Sequence, residues 1–202
     1  MRGVKTLSYR HTAYPSAWLA GIAGFAYSVS FVASSGRHSL LLSGVAALFL
    51  LLGGMLGASA LLGLYERLRD TSGGYALWAF VFGIAAALAA TLHGGFDLAN
   101  AIHPPASENL FPSPVDPRGL GSFGLAGVAL LGFAFLILRD KSFPRGLGYL
   151  GYVSGALLIL IYLARLIIFS ASNPLVLGPA AIEGFIVNPA WYIWLGFALR
   201  RP

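Results

Sequence analysis

The chain has 202 residues, of which 57% are hydrophobic and 10% charged, with a net charge of +6 and a mean hydropathy of +0.78. Soluble domains carry about 25% charged residues, so this chain has too little polar surface to cover a soluble fold and too much apolar content for disorder. Cysteine is absent, which excludes disulfides, thiolate metal centres and thiol catalysis.

A bilayer core of about 30 Å takes about 20 residues of helix, and six segments meet that requirement in turn. The first, residues 14–34, has a basic start and the small-residue stretch Val32-Ala33-Ser34-Ser35. Its apolar run, about 20 residues, exceeds the 7–15 of a signal peptide, so it reads as a retained helix. The second covers 39–64, with Ser39 as its N-cap. The third covers 75–100. An outer connection, 101–119, holds Pro104, Pro105, Pro112, Pro114 and Pro117, whose fixed φ forbids a long helix. It reads equally as a cap over the outer mouth or as a solvated linker. The fourth, fifth and sixth segments cover 120–138, 147–170 and 180–199. Strand-type alternation is absent, which excludes a β-barrel. The expectation is an all-α membrane protein, a six-transmembrane-helix bundle, with residues 1–202 forming a single integral membrane domain.

The placement of charge orients this bundle. Arg2, Lys5, Arg10, Arg67, Arg69, Arg139, Lys141, Arg145, Arg200 and Arg201 fall on one side; Arg37 and Arg118 fall on the other, and Arg165 lies inside the fifth segment. The positive-inside rule then puts the N-terminus and the C-terminus both in the cytoplasm. Trp18, Trp78, Trp191 and Trp194 sit toward the same ends, where amphipathic rings favour the headgroup level. The +6 charge is thereby a matter of topology and lipid headgroups; the partner implied is the lipid bilayer, not nucleic acid. The run from Tyr65 to Asp70 reads as a solvated end with local ion pairs.

Small residues recur at four-residue spacing: Ser16, Ala20, Gly24 and Ser28 in the first segment, Gly53 and Gly57 beside Gly54 and Ala58 in the second, Ala86, Ala90 and Gly94 in the third, and Gly151 and Gly155 in the fifth. Such stripes let helix backbones approach closely, and they serve homo-oligomers as well as internal seams.

Ionisable residues inside membrane segments are costly and face the bundle interior. Residues 86, 90, 93, 97 and 100 share one face of the third helix, which places His93, Asp97 and Asn100 in its outer half. Tyr162 and Arg165 follow Gly151 and Gly155 outward on the fifth, and Glu183 enters near the outer end of the sixth, ahead of Asn188-Pro189. These six side chains, His93, Asp97, Asn100, Tyr162, Arg165 and Glu183, are the candidate ligand-binding site. It would be an outward-facing polar pocket in the outer third of the membrane, with Arg165 paired to Asp97 or Glu183 because an unpaired charge there costs several kcal/mol.

His93 and Asp97 at i, i+4 could offer two metal ligands and His103 a third, but a fourth is missing and no metal is assigned. No cofactor is assigned either. Haem lacks a second embedded His, and the two lysines, Lys5 and Lys141, lie outside the segments, which removes a retinal Schiff base.

The stretch Phe143-Pro144-Arg145-Gly146-Leu147-Gly148-Tyr149-Leu150-Gly151, followed by Trp191-Tyr192-Ile193-Trp194-Leu195-Gly196 and a basic end, resembles a family of bacterial six-helix integral membrane proteins grouped as a domain of unknown function. The resemblance covers residues 143–201. It implies a multi-pass protein of a bacterial cytoplasmic (inner) membrane and brings no catalytic residues. Three functions stay open: a module binding or transporting a small or lipid-like ligand, an intramembrane metal-dependent hydrolase using His93, Asp97 and His103, and a structural or accessory subunit whose polar cluster is an internal lock.

Overall fold

The structure, a computed structural model, describes residues 9–37, 39–104, 116–168 and 173–201. All its regular elements are helical: α1 Arg10–Arg37, α2 Leu40–Leu68, α3 Gly73–Ile102, α4 Ala126–Ile137, α5 Arg145–Ile167, α6 Pro174–Ile182 and α7 Asn188–Arg200. A π-helical segment, Leu120–Leu125, leads into α4, and another, Glu183–Val187, joins α6 to α7. Five helical runs are long and apolar enough to cross a membrane, α6 and α7 counting as one, and Gly121–Ile137 forms a shorter apolar sixth.

The expected segments match these helices closely, and Ser39 caps α2 as expected, accepting the Leu42 N–H at 3.4 Å. The sixth differs. It begins at residue 174 rather than 180, because the Asn173 side chain accepts the Leu175 N–H and Pro174 occupies the first turn, where its missing N–H costs nothing. The prolines at 105, 112 and 114, and with them the cap-or-linker alternative for most of the 101–119 connection, lie outside the described residues.

Successive helices pack side by side and α7 returns to α1, so the bundle closes as a ring in the order α1, α2, α3, α4, α5, α6–α7. Short connections between long helices alternate their direction. One end, the base, therefore carries the start of α1 and the end of α7; the opposite end is the mouth. At the base the ring is filled: Leu64, Leu68, Phe133, Leu136, Ile137, Leu147, Trp191, Leu195 and Leu199 are fully buried in one cluster. Trp191 thus departs from the expected belt position and serves as a core side chain, while Trp78 and Trp194 are exposed at the rim. Arg67 is likewise not merely solvated: it donates to the Arg201 carbonyl at 2.9 Å and lies 5.6 Å from the centre of the Phe143 ring.

Two seams show why glycine is needed. A Cβ on Gly94 would stand 2.6 Å from the Ala47 carbonyl oxygen of α2, and one on Gly127 would stand 2.7 Å from the Gly155 carbonyl oxygen of α5. Backbones touch at these points, as close packing of apolar helices without a solvent drive demands. The outer surface of the ring is apolar, with Leu19, Ile22, Leu41, Met55, Val81, Leu92 and Ile186 among its exposed side chains.

Candidate functional site

Toward the mouth the ring is hollow. A cavity of about 1010 Å³ runs from Leu40, Ala101 and Pro104 at the mouth down to Leu61, Gly83 and Leu130, where the base core begins. His93, Asp97, Asn100, Tyr162, Arg165 and Glu183 all border it. They do not form one cluster: His93 and Asp97 belong to one polar group and Glu183 to a second.

The first group sits near the mouth. α3 presents His93 and Asp97 one turn apart, and the segment leading into α4 brings Asp116, Arg118 and Ser122 against them. Arg118 Nη1 donates to Asp97 Oδ1 at 2.8 Å and Nη2 to Asp116 Oδ2 at 2.6 Å. Its Nε adds bonds of 2.9 and 3.0 Å to both oxygens of Asp116, and its guanidinium lies 4.6 Å over the Phe96 ring, a cation–π contact. His93 Nε2 is 3.3 Å from Asp97 Oδ2 and 3.6 Å from Asp116 Oδ2, and its Nδ1 is 3.2 Å from the Ser122 hydroxyl. Partial burial works against the charge on Asp116, but the hydrogen bonds and charge of Arg118, with a contribution from His93, hold its carboxyl below the ordinary value of 3.8. The same pairing raises Arg118 against the effect of its own partial burial.

The second group is deeper. Glu183 stands nine residues into the run that starts at Pro174, about 14 Å below the mouth end at 1.5 Å per residue. It is 3% exposed. The hydroxyl of fully buried Ser154, on α5, donates to Glu183 Oε1 at 2.5 Å. The Asn188 side chain lies beside the carboxyl, yet Oε2 receives no hydrogen bond. One residue of each group lies on a π-helical segment, Ser122 on the one before α4 and Glu183 on the one before α7. Such wide turns are rare and concentrate at functional sites. At the second, Pro189 contributes the cause: it lacks an N–H, so the preceding turn has no α-type partner to keep it in register.

Two expectations are corrected by this arrangement. Arg165 was expected to pair with Asp97 or Glu183; Asp97 instead takes Arg118 and Glu183 takes Ser154. Arg165 occupies the last turn of α5 and donates to the Ile168 carbonyl at 3.1 Å, turning toward the mouth. Glu183 was expected near the outer end of its helix; the earlier start of α6 moves it to mid-bundle. As for the metal candidates, His103 is exposed just beyond the end of α3, about 15 Å along the helix from His93. Among the described residues no three His, Asp or Glu side chains are grouped to hold a metal ion, and the Asp97 and Asp116 carboxylates face a guanidinium.

Arg118, Asp116, Ser122, Ser154 and Asn188 were not anticipated as site residues. Ser154 lies on the same α5 face as Gly151 and Leu158, so its periodicity marked it; Arg118 sat in a connection and carried no periodic signal. No protein-family model, curated protein or solved structure matches the chain.

Proposed function

We propose that the chain is a multi-pass membrane protein whose half-hollow helix ring binds, or carries, a small or lipid-like ligand in the cavity open toward its outer face. The observation that carries this reading is the cavity itself: about 1010 Å³, bordered by all six side chains of the candidate site. A packed bundle has few voids larger than a water molecule, and ligand sites are of this size, mostly apolar with a few polar groups. The apolar exterior and five spanning-length helices support membrane insertion. The eight basic residues described on the base side, with Arg2 and Lys5 preceding them in sequence, support a cytoplasmic base, and the resemblance over residues 143–201 supports a bacterial inner membrane.

Because the chain has no cysteine, single cysteines report directly. Ser122→Cys, which borders the cavity near the mouth, should react with a membrane-impermeant thiol reagent added to the outer side of sealed spheroplasts. Leu64→Cys, in the base core, should not react from either side. An unreactive Ser122→Cys in a folded protein would refute an outward-open pocket.

A second reading is supported by the ion pairs of Arg118. They tie the segment before α4 to α3, as an internal lock in a structural or accessory subunit would. That reading needs no ligand, and the labelling of the cavity wall separates the two.

A further inference from the structure

Resting on the cavity reading above, the geometry points to the ligand's charge: the site takes an amphiphilic cation, a quaternary or protonated amine or a phosphonium with an apolar body, and Glu183 is its counter-ion. Among the described residues, the charged side chains that border the cavity are Asp97, Asp116 and Glu183 against Arg165, with His93 beside the first two. Adding Arg118, which is bonded to two of those carboxylates, leaves three carboxylates facing two guanidinium groups. The two groups also differ in how far they are satisfied. At the mouth Asp97 and Asp116 have their cation. At the floor Glu183 has none: among the described residues no ion pair includes it, and its Oε2 is buried without a hydrogen bond.

A carboxylate in an apolar wall is stable only when paired and otherwise takes up a proton; a cation entering the cavity would displace that proton and supply the partner charge at the floor. Tyr27, Phe49, Phe123, Tyr162, Phe185 and Tyr192 border the same space. Aromatic faces attract cations and accept apolar substituents. An anion would meet the opposite field: a carboxylate at the floor and rings presenting negative faces.

The test uses purified full-length protein in nanodiscs and two probes of nearly equal size and opposite charge, tetraphenylphosphonium and tetraphenylborate, with empty nanodiscs subtracted for partition into lipid. Saturable phosphonium binding at least tenfold tighter than borate binding is the expected result. Glu183→Gln, which keeps shape and removes charge, should weaken phosphonium at least tenfold and leave borate unchanged, with its fold checked by thermal melting. Ala90→Phe, at another point of the cavity wall, should weaken phosphonium by obstruction. Borate binding as tight as phosphonium or tighter overturns the cation assignment while the cavity reading stands. Saturable binding of neither probe overturns both. An unchanged phosphonium affinity in folded Glu183→Gln overturns the role of Glu183. If that variant does not fold, the contrast between the probes on the unmodified protein still decides the sign of the charge.

Discussion

Replacing Asp97 by Asn and Arg118 by Gln, singly and together, measures the bond that holds the mouth together. The two groups meet at 2.8 Å. With their charges about 4 Å apart, the Coulomb attraction is about 4 kcal/mol at an effective dielectric constant of 20. The side chains are 40% and 22% exposed, so water screens much of this. The pair falls between an exposed bridge, worth up to about 1 kcal/mol, and a buried one, whose disruption costs about 3–5. A coupling energy of about 1–2 kcal/mol is expected from the double-mutant cycle. Arg118→Gln alone should destabilise more than Asp97→Asn, because it also strips Asp116 of its partner and leaves two carboxylates facing each other across His93. Reversible unfolding in mixed detergent micelles, followed by tryptophan fluorescence, gives the four free energies. If the two changes add to within about 0.3 kcal/mol, the expectation for independent sites, Arg118 does not hold α3 and the reasoning fails.

Gly94→Val would push its side chain into the α2 backbone, where even a Cβ stands 2.6 Å from the Ala47 carbonyl oxygen; a loss of about 1–3 kcal/mol is expected, and a wild-type melting temperature would contradict the close seam. Gly74→Ala is the converse, since nothing lies within 4 Å of a Cβ there and the residue is in the first turn of α3; the same melts should show a gain of about 0.5–1 kcal/mol. Asp140, at the base, accepts the Thr71 hydroxyl at 2.7 Å and the Ser142 N–H at 2.7 Å. Its slight burial opposes ionisation, but these bonds and the charge of Arg67 hold its carboxyl below 3.8. Its contribution is therefore complete above that ordinary value and is lost as pH falls through the lower folded value. The stability difference between the wild type and Asp140→Asn should stay constant near neutrality and shrink only in acid; a difference that changes between pH 6 and 8 would count against this assignment.

Helix number and position were legible because spanning length and hydropathy are local properties. The exception, the start of α6, turned on a cap. Asn173 and Pro174 are weak signals beside a long apolar run, yet they add a full turn and a half and so carry Glu183 from the rim to mid-bundle. The candidate residues were legible for a different reason: a charge inside an apolar helix must face the interior, and the interior here is the cavity. Their pairing was not legible. Arg165 looked like the natural partner because it was the one cation inside a segment, whereas Arg118 reaches Asp97 from a connection whose return path only the tertiary fold defines. The setting of Glu183 could not be read from sequence at all, since it depends on how Ser154 and Asn188 meet the two oxygens of the carboxyl.

Small residues decide where the ring is solid and where it is hollow, and they do so in opposite ways. Gly94, Gly127 and Gly155 each face the backbone of a neighbouring helix, so the missing side chain is replaced by another chain and no space remains. Ala20, Ala86 and Ala90 border the cavity instead. There the ring is wide enough that no neighbouring helix fills the missing volume. At the base Leu64, Phe133, Leu147 and Trp191 reach into the centre and close it. The small-residue stripes of α1 and α3 therefore belong partly to packing and partly to the hollow, and spacing alone cannot divide them. The division follows from ring geometry. Six helices around one axis leave a central gap that neighbour-to-neighbour contact cannot fill, and only large side chains directed inward can. Where the sequence supplies them, the bundle is a core; where it supplies alanine and glycine, it is a site.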